Sequence, residues 1–449
     1  MIRPLGSVPD FVIGDLAGPP SDVAATLEAP TQEAAAAKSP AEPSAEPAPP
    51  SKPAKSEPSV YGSTFWLCYL SNGALTAAAA LLYRYADFVN LFGGGEFELG
   101  WIVGIGMTGS LAMRWWLGAG IDRIGPRRVW LASQALFITV VAAHVLITTI
   151  HGPAVYALRI LYQIAIAGVF GSSITFISRT VPAWRMAEVL GTLGTSGFIG
   201  MAVGPVLGDL LAGGFESASL AEQTAAMRQM FLVSAGLGIV ALIAAAWATR
   251  HSIRPARRRR PHTLWLLRKY HPGALLAVGF AMGILITLPS TFLRPYLAEL
   301  GIREMKLFFL VYAPTAFFAR LATRRMSAEW GVRPVILLGL GLAVISVFGY
   351  LAVDRYAMLA LPAAFAGVSH ALLFPTLMAG GAIAFPDRHR GLATTLMLAS
   401  MDVGTLVGSP LVGGTVTLAG ANGWPAYPAA FGVVIAVLAA AFIIYARRR

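Results

Sequence analysis

One cysteine in 449 residues, Cys68, leaves this chain with no disulfide framework and no cysteine-based metal site. Charge is scarce as well. Asp, Glu, Lys and Arg make up 12 % of the residues, roughly half the share of a soluble domain. Apolar residues at 56 % cannot be hidden beneath so thin a polar surface, so the solvent for most of the chain is lipid. Acids are the rarer charge, 22 against 34 bases, for a formal net charge of +12. Such an excess would suit nucleic acid, but the bases cluster in short segments between apolar runs and read as topology anchors. No H-E-x-x-H, no paired cysteine–histidine site and no phosphate-binding glycine loop occurs. That pattern argues against an enzyme, and no cofactor or metal is expected.

Apolar runs are what the chain has in abundance. Six lie near 63–85, 99–119, 129–150, 154–177, 188–212 and 229–249. Six more follow near 272–297, 306–322, 333–353, 357–384, 391–418 and 426–445. Each suits the roughly 17 to 25 residues that cross about 30 Å of hydrocarbon, so the reading is an all-α membrane protein of twelve transmembrane helices. Residues 1–60 differ, holding twelve of the 29 prolines among Ala, Glu, Ser and Lys. They are expected to form a disordered cytoplasmic tail with no apolar face to dock. The tail lacks the basic start and apolar stretch of a cleaved signal peptide, so the first span serves as the insertion signal.

Lys and Arg favour alternate loops, above all Arg123–Arg128, Arg254–Arg260 and Arg320–Arg333, with Arg447–Arg449 at the end. By the positive-inside rule these loops and both termini face the cytoplasm, across the inner membrane. The domains expected are the tail (1–60), a six-helix half (61–250), a basic linker (251–270), a second half (271–446) and a basic end (447–449). Weak repetition supports the halves. Gly125 and Gly331, Pro205 and Pro410, and Arg185 and Arg390 recur at one offset to within a residue.

Between the second and third spans stands Gly118-Ala-Gly-Ile-Asp122-Arg123-Ile-Gly125-Pro-Arg127-Arg128. Glycine lets two helix ends approach closely, and the arginines hold the turn in the headgroup region. The pattern G-x-x-x-D-R-x-G-x-R-R resembles the loop between helices 2 and 3 of the major facilitator superfamily. The resemblance implies a gating latch made by Gly118, Asp122, Arg123, Gly125, Arg127 and Arg128. In the second copy Ala328 and Glu329 replace Asp122 and Arg123, so gating should lean on the first half. Gly200, Gly204, Pro205 and Gly208 on the fifth span match the glycine–proline motif of the superfamily's antiporters. Small residues at four-residue spacing allow close helix approach, and the proline loosens the helix locally. Asp209 beside them is read as hydrated at the outer end, without a role.

Polar groups inside a bilayer are costly and tend to be paired or functional. Asp402 on the eleventh span and His370 on the tenth fall at similar depth near the midplane. Two readings stand level: a shared or relayed proton, and a static hydrogen bond between helices. Arg159 with Gln163 resembles the superfamily's fourth-helix arginine motif, which implies a part in proton transfer, although its depth also suits snorkelling to the surface. Tyr69 and Asn72 on the first span, Gln163 on the fourth, and Pro289 with Ser290 on the seventh are candidates for the substrate cavity, and equally for packing. Arg114 is assigned to the latch loop, and His144 to the outer surface. The resemblance implies a monomeric secondary transporter that carries a small molecule by alternating access. Proton-coupled efflux or antiport leads; proton- or gradient-driven uptake is the alternative, with a non-transporting sensor behind it.

Overall fold

The computed structural model describes residues 60–447 apart from 183–184, 216–217, 251–268 and 387–388. The expected tail and basic linker fall almost wholly outside the described residues. Twelve long helices carry the fold. The first six are α1 (Ser63–Leu91), α2 (Glu96–Ile124), α3 (Pro126–Ala143), α4 (Pro153–Thr180), α5 (Met186–Leu211) and α6 (Leu220–Ala248). The second six are α7 (Leu275–Glu299), α8 (Lys306–Ala322), α9 (Val332–Tyr350), α10 (Ala360–Ile383), α11 (Arg390–Ala421) and α12 (Ala426–Arg447). A one-turn helix at Met326–Glu329 precedes α9. No strand occurs among the described residues.

Ten of these helices are long and apolar enough to cross a membrane on composition alone. The other two are α2 and α8. Glu96, Glu98, Arg114 and a series of glycines dilute α2, and α8 has 17 residues that begin at Lys306 and include Arg320. Both pack along the opposite half as well as their own, α2 on α11 and α4, α8 on α5 and α10. Helix α2 is set apart by its polar and glycine content, and α8 by its shorter length.

The halves are visible in the packing. Within the first, α1 lies on α5 and α6, α2 on α4, and α3 on α4 and α6. Every one of these pairings recurs six helices later: α7 on α11 and α12, α8 on α10, and α9 on α10 and α12. The seams between halves are themselves a related pair, α2 with α11 and α5 with α8. The repeated turn agrees to within a few degrees. Gly125 has φ 87° and Gly331 φ 85°, a region where a side chain would be strained.

Close helix approach is concentrated where the sequence places glycine. A methyl group on Gly204 would stand 2.6 Å from the Ala80 Cβ and from the Leu81 nitrogen of α1, and one on Gly200 2.7 Å from the Gly73 carbonyl oxygen. The backbones of α1 and α5 therefore touch along this stripe. On the α2–α11 seam a Cβ at Gly104 would meet Pro410 Cδ at 2.7 Å. Helix α7 is interrupted by a π-helical turn over Leu288–Phe292. Pro289 removes a backbone donor there, and Ser290 donates to the Ile286 carbonyl at 2.7 Å.

The α1–α5 seam gives a direct test. Gly204→Ala should destabilise the protein by about 1–3 kcal/mol through overpacking. Gly197→Ala, whose Cβ meets nothing within 4 Å, should leave the melting temperature unchanged or raise it through helix propensity. Equal melting temperatures for the two purified variants would refute the close contact.

Candidate functional site

Charged groups inside the bundle gather at three levels. At the end away from the Asp122 turn, α1 passes through a 3₁₀ turn at Leu82–Arg84 and continues to Leu91. That continuation puts Arg84 and Asp87 on one face, three residues apart. Arg84 Nε donates to Asp87 Oδ2 at 2.8 Å, and Arg84 Nη1 to Asp209 Oδ1 of α5 at 2.9 Å. From the other half, Arg294 of α7 donates to Asp87 Oδ2 at 3.1 Å. Asp209 Oδ2 also accepts the Met305 and Lys306 backbone N–H groups at 2.9 and 2.8 Å, and so caps the start of α8 from outside that helix. A carboxylate there suits the helix dipole as well as the free donors. The Asp209 side chain is 1 % exposed, and Arg84, Asp87 and Arg294 are all buried. Four charges thus balance inside one cluster that joins the halves. On the rim, outside the helices, Glu304 is held below the usual carboxylate range chiefly by its hydrogen bond from Lys306.

Further along the bundle, Asp402 of α11 accepts from Arg114 of α2 through both carboxylate oxygens, and from Ser110 Oγ at 2.6 Å. Asp402 lies roughly 18 Å along α11 from Arg390 and Arg114 roughly 15 Å from the end of α2, at 1.5 Å per residue. This second ion pair also crosses between halves.

At the basic end, Asp122 lies 3.7 Å from Arg179 at the end of α4. Arg123, Arg127 and Arg128 are exposed on the turn, and Gly118 lies within α2. Beside them Glu188 accepts from Arg185 at 2.8 Å and from Tyr61 at 2.6 Å. Those contacts stay within the first half.

Several sequence assignments need revising in detail. His370 does not meet Asp402: its Nδ1 shares a hydrogen bond with the Tyr312 hydroxyl at 2.5 Å, and its ring lies 6.0 Å from Phe198 across the α5 seam. Height along a helix is readable from sequence, but the direction a side chain points also depends on rotation and tilt. Arg114 belongs to Asp402 and not to the turn. Asp209 is buried, because the start of α8 folds over it. Arg159 does not snorkel; it is 9 % exposed, and its guanidinium lies over the rings of Tyr85 and Tyr162 at 4.7 and 4.8 Å. His144 is 2 % exposed. Tyr69 and Asn72 turn to α5, bonding Thr195 and Ser196 at 2.9 and 2.7 Å, while Gln163 is half-buried on α4. Arg84, Asp87 and Arg294 went unnoticed. The first two fell at or beyond the estimated end of the first span, although an Arg and an Asp three apart beside Phe88-Val-Asn-Leu-Phe92 signal a continuing helix. Among the described residues no group of three or more His, Cys, Asp or Glu could hold a metal ion.

The fold has relatives. A family model described as Major Facilitator Superfamily matches residues 63–351 and 275–449. The structure of the nucleoside transporter NupG is similar over 86 % of this chain and 100 % of its own, with a TM-score of 0.67 at 13 % identity. A bacterial homolog of the human lysosomal transporter Spinster, inward-facing and unoccupied, is similar over 85 % of this chain and 95 % of its own, with a TM-score of 0.64 and 14 % identity. A D-xylose-proton symporter gives a TM-score of 0.65 at 15 % identity, over 85 % of this chain and 96 % of its own. No curated protein matches the sequence. Identities this low speak for fold alone. With the family model spanning both halves, and six-helix packing that repeats within one bundle, this chain belongs to the Major Facilitator Superfamily of membrane transporters.

Proposed function

We propose that this protein is a proton-coupled secondary transporter that exports a small organic molecule in exchange for protons by alternating access. The observation that carries the reading is the Arg114–Asp402 pair, a buried charge pair on the seam between halves. Ionised, Asp402 binds Arg114 and ties α2 to α11; protonated, it loses the charge that holds the seam. Arg159 stays protonated at any accessible pH and His370 is committed to Tyr312, so Asp402 is the residue we assign to proton loading.

The cluster of Arg84, Asp87, Asp209 and Arg294 serves in this reading as the gate at one end. Opening that end divides the cluster, leaving two acids and one base on the first half and a base on the second. Asp122 with Arg179 biases the other end, in keeping with the latch that the turn motif implies. The glycine stripe of α5 lets that helix rock on α1 without opening a leak, which supports exchange. Proton-driven uptake is the second reading, favoured by the likeness to a protein named as a D-xylose-proton symporter. Basic residues on alternate loops support a cytoplasmic-membrane location with both termini inside.

Two experiments test these roles. Proteoliposomes carrying a pH-sensitive dye, exposed to a panel of metabolites and drugs, should show substrate-dependent proton movement, with its sign separating antiport from symport. Asp402→Asn should abolish that movement yet still exchange labelled substrate down its gradient; proton flux at the wild-type rate in the variant sinks the assignment. For the gate, a Cys68→Ser protein with Tyr83→Cys reports opening, since the Tyr83 ring lies 5.1 Å from that of Phe309 across the halves. Breaking a buried pair by removing one partner costs about 3–5 kcal/mol, so adding Asp209→Asn should speed maleimide labelling at residue 83 by more than about tenfold. An unchanged labelling rate would show that the cluster does not hold this end shut.

A further inference from the structure

Among the described residues Arg159 is the one buried arginine with no carboxylate beside it. The other buried arginines, Arg84 and Arg294, and the partly buried Arg114 each have a carboxylate within hydrogen-bond reach. Arg159 contacts no carboxylate among the described residues, and its guanidinium donates no hydrogen bond to the protein. Its Nε is fully buried without a partner. A guanidinium has five N–H donors and no means of shedding its charge. Inside a membrane protein such a group is costly unless something accepts those bonds. Cation–π contact with Tyr85 and Tyr162 recovers part of the cost, but it satisfies the face of the group and not its edge.

The surroundings point the same way. The hydroxyl of Tyr85, whose ring lies under Arg159, is a second buried group without a partner, and His144 Nε2 is a third. The His144 ring lies 5.8 Å from that of Tyr85, so the three sit in one neighbourhood on α1, α3 and α4. Space for the arginine is built in. A Cβ on Gly106 of α2 would stand 2.6 Å from Arg159 Cγ, so only glycine lets the side chain pass. The position is also telling, because Tyr85 follows Arg84 directly and the cluster therefore adjoins the charged gate.

We propose that Arg159 is the anchor for the anionic group of an organic acid, with the Tyr85 hydroxyl as a second donor. The edge of a guanidinium is a planar fork that matches a carboxylate or a phosphate bidentately. This deepens the transport reading by naming the substrate class, and it rests on that reading for the word substrate. Binding at Arg159 is separable from transport and is tested without it.

The experiment is thermal unfolding of the full chain in a neutral detergent, with sodium salts of benzoate, phenylacetate and phenylphosphate as probes. Benzamide and sodium chloride at the same concentrations are the controls. At about a hundredfold excess over Kd, at least one of the three acids should raise Tm by about 2–4 °C, with no rise from either control. Arg159→Gln should remove the rise, and Arg159→Lys, which keeps the charge without the fork, should weaken it by about tenfold or more. Without ligand, Arg159→Met should melt at or above the wild type, since it replaces an unpaired buried cation with an apolar chain of similar length. Four results would overturn the proposal: no shift with any acid, an equal shift with benzamide or chloride, a shift that survives in Arg159→Gln, or a marked loss of stability in ligand-free Arg159→Met. Loss of proton-coupled transport with the anion-dependent shift intact would instead count against the coupling reading alone.

Discussion

A charge inside a lipid-facing bundle is costly without a partner in the protein, and here several of those partners lie in the opposite half. Asp87 binds Arg84 of its own helix and Arg294 of α7. Asp402 reaches back from α11 to Arg114 of α2. Asp209 spends its second oxygen on the backbone at the start of α8. Lipid tails are as apolar as leucine, so hydrophobic burial gives the halves little reason to stay together. Close packing at glycine and these few polar bonds supply that reason. They sit at two heights on the interface between the halves.

How far the sequence discloses this depends on what kind of quantity is asked for. Helix number is a sum over many apolar residues, and boundary errors of a few residues leave it intact. The repeat was legible at Gly125 and Gly331 because a positive φ admits little else, and the two turns do share that geometry. Pairing was legible only in part. Depth counted along α10 and α11 brought His370 and Asp402 to one level, yet each faces a different neighbour. Asp209 was misjudged because its hydropathy belongs to a helix end, while its burial comes from α8, ninety-odd residues later. Asp87 fell outside a first span that ends at residue 85, while the helix runs on to Leu91. In each case the missing information was tertiary and not local.

The two seams between halves differ in texture. Along α2 and α11 small residues bring the backbones together, with Gly104 against Pro410. Around the other seam the contacts between halves include rings, Phe198 of α5 near His370 of α10 and Tyr83 of α1 near Phe309 of α8. Backbone contact of the first kind is stiff in distance but permits rocking about the line of contact. Rings can slide and change rotamer as a gap opens. The fold thus combines an edge of touching backbones with one lined by rings.

The cluster at the end of α1 also bears on how the chain enters the membrane. Asp87 and Arg294 are separated by 207 positions. At about 5–20 residues per second, roughly 10 to 40 seconds pass between the synthesis of one and of the other. Once Asp209 has been made, the first half holds Asp87 and Asp209 against Arg84 alone, with no α8 backbone yet to donate to the surplus acid. Headgroup water at the helix ends can solvate that acid for a time, where a site near the midplane could not. The location of the cluster, at an end of the bundle, therefore makes it buildable by a ribosome as well as stable once built. Its completion marks the moment at which the second half has docked.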